Sequence, residues 1–193
     1  MNLVLHNKGT GVVVGNKSTL PAPQYKEEDN PELLKTFNYI VVNPPFSDKS
    51  WMDGITIPDV YSRYSETVLG VPPEKNGDYA WLLHVLKSLK FTGKAAVILP
   101  HGVLFRGNAE ADIRKKIIDR GYIKGIIGLP ANLFYGTGIP ACILVLDKED
   151  AADRTGIFMI DASKGYVKDG NKNRLREQDI HKIVTTFLAT DES

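Results

Sequence analysis

The chain has 193 residues, of which 42% are hydrophobic and 24% charged, and its net charge is +1. This is the length of one domain, with a composition ordinary for a globular protein. A charge this close to zero argues against a free-standing, strongly basic nucleic-acid-binding protein, although it allows a local basic patch. With no apolar stretch of about 18 residues and no recognisable signal peptide, we expect a cytoplasmic protein without a membrane segment. The single cysteine, Cys142, lies in an apolar run, which predicts a buried packing residue rather than a nucleophile.

The first part of the chain is predicted to contain two short strands. Residues 1–6 are typical of the end of a helix, Val12–Val14 is predicted as a strand, and residues 15–32 form a polar loop. The second strand, Tyr39–Val42, ends at two consecutive prolines. Beyond it, residues 47–75 show no clear periodicity, and loops of this length in compact domains tend to be functional or mobile.

The remainder of the chain alternates amphipathic helices with apolar strands. Helices are predicted over residues 78–90 and 108–120, and Asn108 is the expected N-terminal cap of the second, which Gly121 ends. A terminal helix is predicted over residues 177–188. Apolar runs predict four further strands, at residues 94–99, 123–129, 140–147 and 156–161. A basic loop, residues 164–176, precedes the terminal helix.

One short connection predicts the direction of a strand. Only about ten residues separate Leu129 from Pro140, whereas a parallel crossover needs roughly a dozen or more. We therefore predict that strand 140–147 runs antiparallel to strand 123–129. The expected fold is α/β, with a mostly parallel, doubly wound sheet and this one reversed strand near its edge. Ligands bind such sheets at the carboxyl ends of the parallel strands, where Asn43–Phe46 is predicted to lie.

The most informative segment is Asn43-Pro44-Pro45-Phe46, which directly follows the second strand. Two prolines fix φ twice and remove two backbone donors, so the strand must end there and its carbonyls are left unpaired. The amide of Asn43 offers a donor and an acceptor to an amino group, and the ring of Phe46 offers a face to a planar base. Taken alone, the segment is as consistent with a rigid turn that buries a phenylalanine as with a site that binds a base.

Six segments of the chain occur in the order found in one enzyme family. These segments are Tyr39–Phe46, Ala95–Arg106, Ile113–Lys116, Gly128–Phe134, Thr137–Leu146 and Ile160–Ser163. They resemble the N6-adenine DNA methyltransferases, and among these the methylation subunit of type I restriction-modification systems. The resemblance implies that residues 1–163 are the C-terminal part of a methyltransferase catalytic domain, followed by a basic loop and terminal helix in residues 164–193. The implied fold is a partial Rossmann-like S-adenosylmethionine methyltransferase fold.

The resemblance also implies a reaction, the transfer of a methyl group from S-adenosylmethionine to the N6 amine of an adenine flipped out of the duplex. By similarity, the Asn43 side chain and the Pro44 carbonyl accept hydrogen bonds from the amine. Pro44 and Pro45 hold that carbonyl away from the sheet, and Phe46 stacks on the base. These four residues are the predicted catalytic set. Phe134 is a candidate for a second aromatic wall, and core packing is an equally good interpretation of it.

The cofactor half of such a site is not evident in the sequence. Family members often carry an acidic residue beside the cofactor's adenine at the position of Asn16, which makes Asn16 the candidate cofactor contact. No glycine-rich loop of the family's type precedes Asn43, because Gly9–Gly11 comes before a strand and Gly136–Gly138 lies between two late strands. We therefore expect the chain alone to bind S-adenosylmethionine weakly or not at all in calorimetry, and to methylate nothing. We expect no metal site.

The resemblance implies several macromolecular partners. These are DNA, the specificity and restriction subunits of a type I system, and the N-terminal part of the methyltransferase. Arg106 and Lys164 are candidate DNA contacts, although charges on helix and loop surfaces are commonly only solvated. The choice of DNA sequence is expected to reside in the specificity subunit.

Two other functions remain open on the sequence alone. One is a non-catalytic interaction module, whose exposed sheet edge pairs with a partner or with itself; the near-zero net charge favours it. The other is methylation of RNA or of a glutamine side chain, since an Asn-Pro-Pro corner also suits planar amides. The later motifs favour the adenine methyltransferase.

Overall fold

A computed structural model of the chain describes residues 18–189. The predicted helix end at residues 1–6, the predicted strand Val12–Val14 and the candidate cofactor contact Asn16 lie outside the described residues. The elements within them are β1 Phe37–Val42, α1 Asp78–Lys87, β2 Leu89–Pro100, α2 Ala109–Asp119, β3 Ile123–Gly128, β4 Ala141–Asp147, β5 Phe158–Asp161, β6 Val167–Asp169, β7 Lys172–Arg174 and α3 Glu177–Leu188.

Five of the described strands form one sheet in the order β1-β2-β4-β3-β5. β1 is parallel to β2 and β3 is parallel to β5, while β4 is antiparallel to both of its neighbours. The mostly parallel α/β sheet with one reversed strand is therefore confirmed. β4 lies third in this order, and it runs antiparallel to β3 because the link between them is too short to cross over a face of the sheet.

The junction between α1 and β2 differs from the prediction. The helix ends at Lys87 instead of residue 90, because β2 already begins at Leu89 and pairs with Phe37. The register then shifts, so that the next pair joins Tyr39 to Lys94. Gly93 lies in this irregular stretch, where a side chain would place its Cβ 2.9 Å from the Phe37 carbonyl oxygen. The backbones approach too closely there for any other residue.

The two ends of α2 are formed differently. Asn108 precedes the helix as predicted, but its side chain makes no capping hydrogen bond, since its backbone adopts a positive φ of 53°. Its carbonyl instead accepts from the amides of Ala111 and Asp112, at 2.8 and 3.2 Å. At the other end Gly121 has a φ of +66°, and a Cβ there would lie 1.9 Å from the Ala151 carbonyl oxygen. Gly121 ends the helix as predicted.

The basic segment before the terminal helix is not only a loop. Residues 164–176 contain the antiparallel hairpin β6–β7, in which Val167 pairs with Arg174 and Asp169 with Lys172. These strands have only three residues each and no alternating apolar pattern, so periodicity did not indicate them. The prediction of an irregular loop here was wrong.

The core lies between one face of the sheet and helices α1 and α2. Its fully buried side chains include Val97 and Leu99 of β2, Leu144 of β4, Leu82 of α1 and Ile117 of α2. Complete burial of one such side chain contributes about 1.5–3 kcal/mol to folding. The core therefore fixes the strands whose ends carry the candidate site.

The long segment 47–75 is irregular, as predicted, but it is anchored in the core. Trp51 and Tyr64 are almost completely buried, with their rings 5.0 Å apart between centroids in an edge contact. The indole nitrogen of Trp51 also donates to the Pro73 carbonyl oxygen at 2.9 Å. These contacts fix the chain that follows the Asn-Pro-Pro-Phe corner.

Candidate functional site

The Asn-Pro-Pro-Phe corner leaves the sheet at the carboxyl end of β1. Val42 still pairs with Val97 of β2, and the chain then turns away, with Pro44 buried and Asn43 and Pro45 exposed. Among the described residues, the Asn43 side chain and the Pro44 carbonyl have no hydrogen-bond partner. The two prolines supply no backbone donor that could continue the ladder, so β1 ends before them. The corner thus presents an amide and a carbonyl that no other described residue satisfies.

This corner forms one wall of an open pocket of about 400 Å³. The opposite wall comes from the link between β3 and β4, so the ends of two distant parts of the chain meet here. The volume lies within the range of roughly 300–1,000 Å³ seen for small-molecule sites. The lining residues are Asn43, Pro44, Pro45, Phe46, Phe134, Tyr135, Gly136 and Thr137.

Two phenylalanine rings make an aromatic corner in the pocket. The centroids of Phe46 and Phe134 are 5.6 Å apart and their planes meet at 74°. Both rings are half-buried, and neither belongs to the buried core. Perpendicular rings offer a planar ligand one face for stacking and one edge for contact, rather than a parallel slot. The structure brings together Asn43, Phe46 and Phe134, and base stacking by the two rings stays a prediction.

The chemistry of the pocket depends on oriented dipoles rather than on an acid or base. Of the side chains that line it, only the phenol of Tyr135 is titratable, and the polar groups are otherwise an amide, a hydroxyl and backbone. Such groups can hold and orient an amino group through hydrogen bonds. A reaction served by this pocket has to proceed without a strong general base from the lining residues.

A buried ion-pair network supports the corner from behind. The amide of Ser47, directly after Phe46, donates to Oδ1 of Asp78 at 2.7 Å. The other oxygen of Asp78 accepts from Arg106 at 2.5 Å, and Arg106 also donates to Glu110 at 2.6 Å. The Asp78 side chain is fully buried. Burial alone lowers the pKa of Arg106, but the hydrogen bonds to Glu110 and Asp78 outweigh it and raise that pKa above its ordinary value.

Comparison with known proteins identifies the family. The whole chain, residues 1–193, matches the family model described as N-6 DNA Methylase. The chain belongs to the N-6 DNA methylase family. Its predicted resemblance to type I methylase subunits is confirmed by the similar proteins below.

Similar proteins are methylase subunits of type I restriction enzymes. The MjaIX methylase subunit of Methanocaldococcus jannaschii is 36% identical over 162 residues, which cover 82% of this chain and 29% of that protein. The MpnII methylase subunit of Mycoplasma pneumoniae is 34% identical over 197 residues, which cover 100% of this chain and 35% of that protein. The solved structure of a type I restriction-modification methyltransferase subunit from Streptococcus thermophilus matches with a TM-score of 0.78 and 35% identity, over 97% of this chain and 38% of that one. The chain spans about a third of the length of these proteins.

The two candidate DNA contacts of this chain differ in their surroundings. Arg106 is held by Asp78 and Glu110, with 29% of its side chain exposed. Its guanidinium therefore supports the pocket, and a DNA contact through its exposed part stays a prediction. Lys164 lies exposed between β5 and β6. Its role also stays a prediction.

Sequence reasoning missed three contributors to the pocket. Tyr135 and Thr137 line it, and the aromatic pair Phe134-Tyr135 within a glycine-containing link was the available signal. Asp78 is the first residue of α1. Its bond to Ser47, 31 residues away, has no signature in the sequence.

In the described part of the chain, the turn after β2 offers no open glycine cradle for the methionine half of S-adenosylmethionine. In residues 18–189, the turn that follows β2 contains Gly102, but a Cβ there would lie 2.3 Å from the Arg106 guanidinium, so that glycine accommodates a side chain and not a ligand. Gly136 of the β3–β4 link lines the pocket already described. Also within these residues, no three His, Cys, Asp or Glu side chains converge to hold a metal ion, and no helix is long and apolar enough to cross a membrane.

Proposed function

We propose that this chain forms the base-holding side of a type I restriction-modification methylase, which methylates the N6 amine of adenine in DNA. The observation that carries the proposal is the pair of free acceptors on Asn43 and Pro44, beside Phe46 at the carboxyl end of a parallel strand. S-adenosylmethionine is the proposed methyl donor of the complete enzyme. Its binding is assigned to parts of the methylase beyond the described residues.

The proposed chemistry follows from the electronic structure of adenine. Its exocyclic amine is a poor nucleophile, because the lone pair is delocalised into the ring. Two acceptors, the Asn43 amide oxygen and the Pro44 carbonyl, hold the two N–H groups and favour a tetrahedral nitrogen with a localised lone pair. The alkylated amine becomes acidic, so a strong general base is unnecessary. The target base has to leave the duplex to reach these groups, and Phe46 stacks on it there.

The proposal includes the partners of a type I system. The similar proteins are subunits by name, and this chain corresponds to about a third of their length. The proposed partners are therefore DNA, the rest of the methylase subunit, and the specificity and restriction subunits. The near-neutral charge of the chain suits a component that shares DNA binding with other subunits.

The proposal is tested by a methyl-transfer assay on an assembled enzyme. The chain is combined with an N-terminal methylase segment supplied in trans and with the specificity subunit, and N6-methyladenine formed in unmethylated duplex DNA is measured by mass spectrometry. We expect methylation by the wild-type assembly. The substitution Asn43→Ala removes one of two oriented acceptors, and we expect it to lower kcat by about 10²–10³-fold.

A matched control is available on the same strand. Asn38 is exposed on β1 and does not line the pocket, so Asn38→Ala should leave kcat unchanged. Equal activity of the Asn43→Ala and wild-type assemblies contradicts the proposal. Methylation of RNA or of a protein glutamine, with no N6-methyladenine in DNA, assigns the same corner to a different substrate.

An interaction module is the second candidate function. On β1, Tyr39 and Val41 expose 75% and 85% of their surfaces, which is unusual for two apolar side chains on one strand. A module acting through this surface would keep its partner when Asn43 is replaced by Ala, and lose it when Tyr39 and Val41 are both replaced by Ser. The methylase proposal predicts the loss of kcat in the first variant.

A further inference from the structure

The link between β3 and β4 carries the Phe134 side of the pocket and has little structure of its own. Residues 129–140 contain no helix or strand. Asn132 and Gly136 adopt positive φ values of 61° and 79°. A link with such residues has many accessible conformations in isolation, and ordering it costs conformational entropy. Contacts from elsewhere in the molecule must therefore hold Phe134 where it is.

Lys172, the first residue of β7, supplies such contacts at the centre of the link. Its Nζ donates to Oδ1 of Asn132 at 3.0 Å, to the Phe134 carbonyl at 2.8 Å and to the Thr137 carbonyl at 3.0 Å. An ammonium group has three N–H donors, and all three are used. The acceptors lie on both sides of Tyr135 and Gly136, so one nitrogen closes the link into a defined loop.

The neighbouring asparagines fix how the hairpin sits on the link. The amide of Asn173 donates to the Asn132 carbonyl at 3.0 Å, and its side chain donates to the Ala131 carbonyl at 2.6 Å. The side chain of Asn132 donates in return to the Asn171 carbonyl at 2.6 Å. Asn173 is buried. The hairpin β6–β7 is thus attached to the first residues of the link, and Lys172 extends the attachment to Thr137.

We propose that Lys172 is a positioning residue, which holds Phe134 against Phe46 by binding three oxygens of the β3–β4 link. The inference rests on the proposed function, since the pocket it shapes is the base site assigned there. A lysine suits the task because its three donors diverge from one compact nitrogen, whereas the donors of an arginine lie in a single plane. The basic hairpin therefore shapes the pocket, and Lys172 has no donor left for a phosphate.

Fluorine NMR tests the position of Phe134 without any ligand. The chain is labelled with 4-fluorophenylalanine, and the resonances of Phe46 and Phe134 are assigned with the variants Phe46→Leu and Phe134→Leu. We expect Lys172→Met, which keeps the length of the side chain but has no donor, to move the Phe134 resonance most of the way to its position in Phe46→Leu. Lys168→Met is the matched control, because Lys168 lies exposed in the same hairpin; it should leave the resonance in place.

A second variant interrupts the same contacts from the side of the link. Asn132→Gly removes the side-chain acceptor and donor but permits the positive φ of that residue. It should move the Phe134 resonance in the same direction as Lys172→Met. If Lys172→Met fails to fold, this variant decides the question alone. An unmoved Phe134 resonance in the variants that fold overturns the inference.

Ligand binding separates this inference from the proposed function. Saturation-transfer NMR with 2′-deoxyadenosine, and thymidine as the control ligand, should give a signal with the wild-type chain and one about tenfold weaker with Lys172→Met. A shifted Phe134 resonance with undiminished deoxyadenosine binding overturns the role of Lys172 in the site. No deoxyadenosine signal from the wild-type chain, together with a shifted resonance in Lys172→Met, contradicts the proposed base pocket and leaves the positioning of Phe134 by Lys172 supported.

Discussion

Cys142 shows how its position in the sheet sets the chemistry of one residue. It lies on β4 between two other strands, and none of its side chain is exposed. Burial raises the pKa of the thiol to about 12. The thiolate is the reactive form, so a buried thiol with a raised pKa is inert. The prediction of a packing residue from the apolar run is therefore confirmed for the burial of Cys142.

We expect Cys142 to react with iodoacetamide at least about 100-fold more slowly in the native chain at pH 8 than in guanidinium chloride. The reaction is followed by mass spectrometry of the intact chain. The denatured chain is the internal control, since its thiol has an ordinary pKa and full access. Similar rates in both states would show that β4 is accessible in the native chain, contrary to the structure.

Among the secondary-structure elements, the ion-pair network joins α1, α2 and the segment after β1. Asp78 begins α1, Glu110 lies in the first turn of α2, and Arg106 bridges them. Asp78 also holds the amide of Ser47, whose φ of 52° is uncommon outside glycine. The network thus links the packing of two helices to the backbone that leaves the Asn-Pro-Pro-Phe corner.

We predict that Asp78→Asn lowers the free energy of unfolding by about 1.5–3 kcal/mol, since it removes a buried, charged hydrogen-bond acceptor. Lys115→Ala is the control. Lys115 pairs with Asp119 at the same 2.5 Å as Arg106 with Asp78, but its side chain is 74% exposed. Its loss should change stability by no more than about 0.5 kcal/mol. Urea denaturation measures both, and equal effects would contradict the role given to burial.

Considered as a whole, the molecule holds its irregular segments together through a cluster around Arg63. Arg63 donates to both oxygens of Asp59, to the Leu20 carbonyl at 2.7 Å, and to Nδ1 of His84 on α1 at 3.2 Å. The His84 nitrogen must therefore be an unprotonated acceptor. Burial lowers the pKa of His84 most, and the charge of Arg63 lowers it further, to about 4. The charge of Asp59 acts in the opposite direction but is the smaller effect.

This cluster predicts a pH dependence of stability. Because the pKa of His84 is lowered in the folded chain from 6.5 to about 4, the unfolded state binds more protons between these two values. His84 therefore leaves the free energy of unfolding unaffected above pH 6.5. As the pH falls from 6.5 toward 4, it lowers that free energy by up to about 3 kcal/mol. Urea denaturation of wild type and His84→Gln should show the steeper loss in wild type. The same slope in both contradicts the assignment.

The sequence by itself determined the local features of this protein. Periodicity indicated α1, α2, α3 and the strands of the sheet, except for the first five residues of β2, and Gly121 indicated the end of α2. The short β3–β4 link indicated the reversed strand, and two prolines determined the corner at Asn43. These features follow from the chain's own geometry over a few residues, so they can be read without knowing which distant segments meet.

Only the tertiary structure decided how the pocket is completed. It brought Phe134 to Phe46, Asp78 to Ser47, and Lys172 to an oxygen of the link 38 residues earlier. The hairpin of Lys172 gives no periodic signal, because its strands have only three residues each. Contacts between distant residues depend on the packing of the whole core, and no local pattern encodes them. The sequence predicted the wall formed by Asn43–Phe46 and offered Phe134 as a candidate for the other wall, and the fold brings Phe134 to Phe46.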